Sequence, residues 1–254
     1  MEAAAQPLSD RLVELAGIET GMRVLDVATG IGEPALTAAR RVGASGRVLA
    51  TDLAPGMIEL GTERARDDGL TNVTFELRDA EALGLEPQSF DAALSRWGLM
   101  LMPNPADALA GIKTTLCPGG RLACSVWSSP ERVPFLVLGR DTVAEALGIE
   151  PPPAEMPGPF RLAEAGALRA LVEGAGFTIE SEERFNVRFT FENAEGYADF
   201  VFDLSSVLSQ ALAEASAATR DAAREALLAE VRPETGADGR LVLDNETVCL
   251  AARR

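Results

Sequence analysis

Short apolar runs alternate with helix-length stretches through the first half of the chain, and this alternation limits the fold more than any other feature. The runs that predict strands are residues 23–27, 47–51, 72–77, 90–95 and 121–127. The stretches with helical spacing between them are residues 34–42, 55–66 and 106–116. Strands separated by helices need crossover connections, which make the strands parallel. The sequence therefore predicts an α/β fold around a mostly parallel sheet with helices on both faces.

The second half of the chain has a different pattern. It predicts helices at residues 133–147 and 162–173, an ordered proline-rich loop at 150–159, and strands at 177–191 and 241–251. Between these two strands, residues 194–231 have helical apolar spacing, which includes Val207, Leu208, Ala211, Leu212 and Ala215. We therefore expect one domain over residues 1–254, with a core of about 1–128 and helical cap elements at about 129–160 and 192–235.

The net charge of the chain limits which molecules it can bind. Among 254 residues, 39 acidic side chains outnumber 23 basic ones, which gives a formal net charge of -16. Such a surface repels nucleic acid and anionic membranes. No apolar run approaches the ~18 residues of a membrane span, and residues 1–10 lack the pattern of a signal peptide. We expect a cytoplasmic chain that acts on a small molecule, alone or as a homodimer, without nucleic acid or stable membrane insertion.

The absence of histidine narrows the chemistry. It excludes Ser-His and Cys-His nucleophiles, a histidine base and most zinc sites. The three cysteines, Cys117, Cys124 and Cys249, have neither metal-ligand nor disulfide spacing, so no metal is expected. Cys124 and Cys249 lie in apolar runs, which predicts buried core thiols.

A glycine-rich turn follows the first predicted strand, in the stretch DVATGIGEP at residues 26–34. Residues 30–35 match the dinucleotide fingerprint G-x-G-x-x-G/A. Gly30 and Gly32 would let the backbone approach a ligand, because no Cβ stands in the way. A plain tight turn is the alternative interpretation.

Two acidic residues follow the next two predicted strands. Asp52 ends the second strand, twenty residues after Gly32, where a carboxylate can accept both hydroxyls of a ribose. Its alternative role is to cap the helix that follows. Asp79 and Ala80 follow the third strand, where they could meet the edge of an adenine, although a solvated acidic loop is the alternative. A nicotinamide dinucleotide would fit these features as well.

Two observations argue against a nicotinamide cofactor. Asp26 lies inside the end of the first strand, four residues before Gly30, where nicotinamide-binding folds are usually apolar. A carboxylate there can orient the glycine turn and lie near a cation. The single tyrosine, Tyr197, is followed four residues later by Val201, and so lacks the lysine that short-chain dehydrogenases require.

Five stretches in order resemble the class I S-adenosylmethionine-dependent methyltransferases, and within them the branch that includes ubiquinone and menaquinone biosynthesis enzymes. They are VLDVATGIGEPAL (24–36), VLATDLAPGMIELG (48–61), RDAEAL (78–83), SFDAALSRWGLMLMPNP (89–105) and LCPGGRLACSVW (116–127). Each stretch alone is a weak signal, but the ordered set is specific. The resemblance covers residues 8 to 254 approximately.

This resemblance implies a Rossmann-like sheet of seven strands with the last strand antiparallel, and S-adenosylmethionine bound over the first four strand ends. S-adenosylhomocysteine would be the product. Carried over residue by residue, the family's motif around the methionine part of the cofactor matches Asp26, Ala28, Gly30 and Gly32. Ser95 matches the position that faces the methionine amine. The positions that match contacts of the adenosine part are Asp52, Leu53, Met57, Asp79 and Ala80.

The stretch after the fourth strand, SRWGLMLM at residues 95–102, is where an acceptor is expected. Arg96 could stabilise an anionic oxygen, although it could also be a surface ion pair. Trp97, and Trp127 after the fifth strand, could stack on a planar acceptor, although core packing is the alternative. The catalytic group is unknown; the candidates are Arg96 and Glu33, since a base would have to be a carboxylate, a water or the substrate.

These features predict an enzyme that methylates a small, apolar or aromatic acceptor. The resemblance and the absence of histidine favour carbon over oxygen as the methylated atom. A cofactor-binding fold that performs a non-methylating reaction, or that only binds, is the alternative, because its cofactor motifs would be the same.

Overall fold

The structure, a computed structural model, describes residues 2–149, 156–204 and 213–254. Seven strands form one sheet. They are β1 (Arg23–Val27), β2 (Arg47–Asp52), β3 (Val73–Leu77), β4 (Phe90–Arg96), β5 (Leu116–Trp127), β6 (Thr178–Phe191) and β7 (Leu241–Arg253). The described helices of four or more residues are α1 (Glu2–Leu15), α2 (Ala35–Val42), α3 (Pro55–Asp67), α4 (Pro105–Thr115), α5 (Pro134–Val137), α6 (Arg140–Leu147), α7 (Ala167–Gly174), α8 (Ala194–Leu204) and α9 (Ala217–Val231).

The strand order is β3-β2-β1-β4-β5-β7-β6. β1 pairs in parallel with β2 and β4, and the parallel pairing continues to β3 on one side and to β5 on the other. β7 runs antiparallel to β5, with Trp127 opposite Thr247. The predicted mostly parallel sheet of seven strands with an antiparallel last strand is therefore confirmed.

The centre of the sheet is the most apolar part of the core. In β1, every residue after Arg23 is buried, as expected for a parallel strand covered on both faces. Val24, Leu25 and Val27 have no exposed surface. Asp26 is equally buried, and it is the one charged residue in this run.

One predicted strand boundary in the first half is wrong. The helix that ends at Thr115 passes directly into β5, which begins at Leu116, whereas the sequence predicted a strand only from residue 121, after the glycines at 119 and 120. The glycines there lie inside β5, where the pairing with β4 shifts register: Phe90 pairs with Leu116, but Ala92 pairs with Arg121. Glycines inside a strand often mark such an irregularity. Helix α1 was not predicted.

Two predicted helices in the second half are shorter than expected. Residues 133–147 form two short helices, α5 and α6, because Gly139 between them has a left-handed φ of 71°. Helix α7 begins only at Ala167, since Gly166 has a φ of 81° and cannot continue a helix. The predicted helical positions Val207, Leu208, Ala211 and Leu212 lie outside the described residues, as do residues 150–155 of the proline-rich loop.

The described chain divides into two compact units. One comprises residues 129–149, 186–204 and 213–245, and the other comprises residues 2–128, 156–185 and 246–254. The candidate site residues named above all belong to the second unit. The organisation as one domain with a helical cap stays a prediction. Among the described helices, none has the length and apolar character that crossing a membrane requires.

The cysteine prediction is confirmed for Cys124 and Cys249, which are fully buried. Burial raises the pKa of both thiols, that of Cys249 to about 12. Because the thiolate is the reactive form, both cysteines are structural rather than catalytic.

Candidate functional site

The reversal of strand order lies between β1 and β4. From β1 the order continues through β2 and β3 to one edge, and from β4 it continues through β5 to the other. In open α/β sheets, ligands bind beyond the carboxyl ends of the strands at such a point. A ligand site is therefore expected at the ends of β1 and β4.

Backbone strain is concentrated at these two strand ends. Three described residues other than glycine have a positive φ: Ala28 (57°), Gln88 (55°) and Trp97 (58°). Ala28 directly follows β1, and Trp97 directly follows β4. A left-handed conformation is rare for a bulky residue such as tryptophan. Strain of this kind, which costs ~1 to 3 kcal/mol per residue, is concentrated at binding and active sites in proteins.

The glycine turn after β1 has an open and a packed glycine. Gly30 has a φ of 57°, and a Cβ added to it would meet nothing within 4 Å. Gly32 has a φ of 106°, and a Cβ there would lie 3.1 Å from Leu36 and 3.3 Å from Phe75. Gly30 therefore leaves room for a ligand against the backbone, whereas Gly32 lets the turn pack on the core.

The buried side chain of Asp26 holds the glycine turn through two hydrogen bonds. Its Oδ2 accepts a hydrogen bond from the Thr29 hydroxyl at 2.6 Å and one from the Ala35 backbone N–H, at the start of α2, at 3.0 Å. Its Oδ1 is buried and has no hydrogen-bond partner within the described chain. Asp26 orients the glycine turn, as the sequence suggested, and one of its oxygens stays available.

Asp52 links the ends of β1 and β2. Its Oδ2 accepts the Gly30 backbone N–H at 2.8 Å, and its Oδ1 accepts the Ala54 backbone N–H at 3.0 Å. The first bond fixes the glycine turn. The second closes the turn before α3, but it does not cap the helix, whose N-cap is Ala54 and has no side-chain bond. Each oxygen of the carboxylate can accept a further hydrogen bond.

Apolar side chains are exposed beside Asp52. Leu53 is 69% exposed and Met57, in the first turns of α3, is 40% exposed. Exposed large apolar residues at a strand end are typical of ligand-binding surfaces. Arg64 on the same helix donates to the carbonyl of Ile31 at 2.6 Å, and so ties α3 to the glycine turn. Sequence reasoning missed Arg64, because nothing in its neighbourhood along the chain indicates this contact.

Asp79 lies at the end of β3 as predicted, and it caps a short 3-10 helix formed by Ala80–Ala82. Its Oδ1 accepts the backbone N–H of Glu81 at 2.9 Å. Glu81 in turn accepts the backbone and side-chain N–H groups of Asn104, at 2.7 and 3.0 Å. The stretch is an ordered part of the strand-end surface.

Ser95 and Gly98 bring the end of β4 against the end of β1. The Ser95 hydroxyl is buried without a hydrogen-bond partner in the described chain. A Cβ added at Gly98 would lie 2.7 Å from both Ala28 Cβ and Ser95 Oγ. The ends of β1 and β4 can therefore approach this closely only because residue 98 is a glycine, which has no side chain between them.

We expect Gly98→Ala to destabilise the protein by ~1 to 3 kcal/mol, because an inserted methyl group must push these strand ends apart. Thermal unfolding of the purified variant measures the effect. Gly174→Ala is the matched control, since a Cβ there meets nothing within 4 Å. An equal stability of the Gly98→Ala protein and wild type would contradict the close packing of Ala28, Ser95 and Gly98.

Arg96 is buried, with 9% of its surface exposed, so the alternative that placed it on the surface is wrong. Its Nη1 donates to the Ser9 hydroxyl of α1 at 2.9 Å, and its guanidinium lies 5.2 Å from the centre of the Trp97 ring. Its positive charge also lowers the pKa of Asp26. Arg96 thus connects α1, β1 and the strand-four loop.

The two tryptophans of the chain form a stack. The rings of Trp97 and Trp127 are 4.1 Å apart between centroids, with 20° between their planes. The Trp97 indole N–H donates to the hydroxyl of Thr247 at 3.1 Å. Trp127 is buried, as the core-packing alternative expected, whereas Trp97 is only half-buried. Trp97 is therefore the more exposed of the two tryptophans, and it directly follows β4.

Glu33 is buried at the start of α2 and is held by local contacts. Its Oε2 accepts the Thr37 hydroxyl at 2.6 Å, and its Oε1 lies 3.6 Å from the Arg40 guanidinium. These contacts give Glu33 a structural role at the start of the helix, and its catalytic role stays a prediction.

Comparison with known proteins decides the family. Residues 18–145, half of the chain, match the family described as a methyltransferase domain. The chain belongs to the methyltransferase family. The resemblance to class I S-adenosylmethionine-dependent methyltransferases of the small-molecule branch is confirmed, and the matched residues include β1 to β5 with their connecting turns.

Curated relatives of this methyltransferase domain match slightly less than half of its length. Aklanonic acid methyltransferase DauC from Streptomyces sp. (strain C5) is 38% identical over 117 residues, 46% of this chain and 53% of that protein. The ubiquinone/menaquinone biosynthesis C-methyltransferase UbiE from Azotobacter vinelandii is 40% identical over 119 residues, 46% of this chain and 47% of that protein. The chain thus spans about half the length of the curated relatives that it matches.

Solved structures share the fold of this methyltransferase domain over nearly its whole length. The [4+2]-cyclase SpnF has a TM-score of 0.62 at 22% identity, over 98% of this chain and 80% of that one. The Bacillus halodurans C-125 protein BH2331 has a TM-score of 0.63 at 21% identity, over 96% and 97%. Phosphoethanolamine N-methyltransferase 2 of Haemonchus contortus, solved with S-adenosylhomocysteine, has a TM-score of 0.56 at 20% identity, over 98% and 52%.

Proposed function

We propose that this domain transfers a methyl group from S-adenosylmethionine to a small, apolar or aromatic acceptor. The observation that carries the proposal is the pair of buried, unpaired oxygens, Asp26 Oδ1 and Ser95 Oγ, at the neighbouring ends of β1 and β4 among the described residues. Buried polar atoms without partners are rare and call for an explanation. The ammonium group of a ligand would donate hydrogen bonds to these oxygens, and the carboxylate of Asp26 would attract a sulfonium charge on the same ligand.

The remaining strand-end residues fit the other parts of the same cofactor. The open backbone at Gly30 would accommodate the methionine part beside Ala28 and Gly32. The carboxylate of Asp52 would accept the ribose hydroxyls while it keeps its bond to Gly30. Leu53 and Met57 would cover an adenine with their exposed apolar surface. At the edge of the adenine ring, the carboxylate of Asp79 would accept a hydrogen bond from the exocyclic amine, and the backbone N–H of Ala80 would donate one to the ring.

When bound, S-adenosylmethionine supplies a methyl group on a positively charged sulfur that is already activated for transfer. The task of the protein is therefore alignment and exclusion of water. The ring of Trp97, braced by Trp127 and Thr247, would stack on a planar acceptor. Arg96 beside it would stabilise a phenolate or enolate oxygen as charge develops.

Carbon is the favoured site of methylation. The names of the matched relatives include a C-methyltransferase of quinone biosynthesis and an aklanonic acid methyltransferase. A carbon nucleophile next to an enolate needs little help from a base, which suits a chain without histidine. A cytoplasmic location and a homodimer stay predictions from the sequence.

Thermal unfolding with and without ligand tests the proposed cofactor. S-adenosylhomocysteine at 100 times its dissociation constant should add ~2.7 kcal/mol of stability. For a chain of this size, we expect a rise in Tm of roughly 5 to 10 °C, and no rise with NAD. Stabilisation by NAD and not by S-adenosylhomocysteine would overturn the proposal.

A further inference from the structure

The buried carboxyl group of Asp26 is surrounded by few charges. Arg96 approaches it from β4, and Glu33 from the turn before α2. Glu33 is itself paired with Arg40 of α2, at 3.6 Å. Helix α1 contributes the neutral hydroxyl of Ser9, which holds Arg96. Among the described residues, Asp26 thus has one cation, Arg96, and one anion, Glu33, as charged neighbours, and it forms no salt bridge with Arg96.

This environment favours the protonated form of Asp26 in the ligand-free protein. Burial is the largest influence and raises the pKa of Asp26 to about 7, although the bonds from Thr29 and Ala35 and the charge of Arg96 lower it. The unpaired Oδ1 agrees with this, because a buried carboxylate usually has partners on both oxygens. At neutral pH, the group is therefore poised between its neutral and its charged form.

We propose that Asp26 releases its proton when S-adenosylmethionine binds, so that the cationic cofactor is held against a carboxylate that forms only in the complex. The O–H bond of the carboxylic acid breaks, the proton passes to the solvent buffer, and the negative charge that remains balances one positive charge of the ligand. The inference rests on the proposed function, since it assumes that a cation binds at the ends of β1 and β4. It differs from a fixed ion pair in that binding and proton release are linked.

The linkage predicts a pH dependence with a definite sign. Below the pKa of the ligand-free protein, binding must first remove the proton, so affinity rises as the pH rises and levels off above that pKa. Between pH 5.5 and 7.5, we expect the affinity for S-adenosylmethionine to increase by roughly 20-fold. The same change in pH should have little effect on the affinity of Asp26→Asn, which has no proton to release.

Titration calorimetry with S-adenosylmethionine at pH 6.5, in phosphate and in Tris, measures the proton directly. The two buffers differ widely in ionisation enthalpy, so the difference in binding enthalpy gives the number of protons released. We expect about 0.7 more protons released by wild type than by Asp26→Asn. The comparison cancels protons that come from the ligand itself. Asp67→Asn, a change of an exposed carboxylate on α3, is the matched control and should behave as wild type.

Equal proton release by wild type and a folded Asp26→Asn would overturn this inference and leave the proposed function intact. A complete lack of binding by wild type would overturn the proposed function. If Asp26→Asn does not fold, Arg96→Gln gives a second test. Because the charge of Arg96 lowers the pKa of Asp26, its loss should move the midpoint of the affinity–pH curve to higher pH. An unchanged midpoint would contradict the role of Asp26.

Discussion

Replacing Asp52 with alanine should lower the affinity for S-adenosylhomocysteine roughly 30- to 150-fold, as measured by calorimetry. The carboxylate is expected to accept both ribose hydroxyls, and charge-assisted hydrogen bonds of this kind contribute ~2 to 3 kcal/mol. The structure adds a second reason, because Asp52 also holds the Gly30 N–H at 2.8 Å and so fixes the glycine turn. Both effects act in the same direction.

Two further variants make this result interpretable. Asp52→Asn keeps the shape and one oxygen acceptor, and should lose less affinity than Asp52→Ala. Asp67→Ala removes an exposed carboxylate of α3 and should leave the affinity unchanged. If Asp52→Ala bound S-adenosylhomocysteine as tightly as wild type, the role of Asp52 would be limited to its backbone bonds with Gly30 and Ala54.

Replacing Trp97 with alanine should raise the KM for the acceptor roughly 10- to 100-fold, because stacking on an aromatic ring contributes ~1 to 3 kcal/mol. The affinity for S-adenosylhomocysteine should stay within about threefold of wild type, a difference of ~0.7 kcal/mol. A change in the KM for the acceptor without a change in cofactor affinity would assign Trp97 to the acceptor and not to the cofactor. Trp97 lies two residues after Ser95, which is proposed to face the cofactor, yet the ring of Trp97 lies against Trp127 and Thr247.

Trp97→Phe is the matched control for this experiment. It keeps an aromatic ring and loses only the N–H bond to Thr247, so its KM should be close to that of wild type. If Trp97 has only a packing role, Trp97→Ala should instead cost ~3 to 5 kcal/mol of stability. A Trp97→Ala protein that is folded and methylates with the wild-type KM would contradict the acceptor role.

The strand-end residues that are proposed to hold the cofactor could be predicted from the sequence because their signals are local. The glycine turn, Asp52 and Asp79 each follow a predicted strand within two residues, and parallel strands bring their carboxyl ends to one edge. The parallel sheet could be predicted for a similar reason, since apolar runs of strand length separated by helices leave few other arrangements. The strained φ of Ala28 could not be read, because alanine carries no sequence signal for a left-handed conformation.

The contacts that hold Arg96 and Trp97, the residues proposed to meet the acceptor, join residues far apart in the chain. Arg96 bonds to Ser9, 87 residues earlier, and Trp97 to Thr247, 150 residues later. No pattern near Arg96 or Trp97 in the sequence indicates these partners. For this reason, a surface position was also considered for Arg96. Helix α1 was missed although its buried positions Ala5, Leu8, Leu12 and Val13 have helical spacing. That signal could have predicted it.

Methyl transfer itself is the measurement that tests the central claim most directly. The purified protein is incubated with S-adenosylmethionine labelled in its methyl group and with a panel of quinols, phenols and aromatic acids. We expect S-adenosylhomocysteine to form only when an acceptor is present, and one product to carry the label. An acceptor that is converted without label in its product, while S-adenosylmethionine stays intact, would contradict methyl transfer and point to a non-methylating reaction.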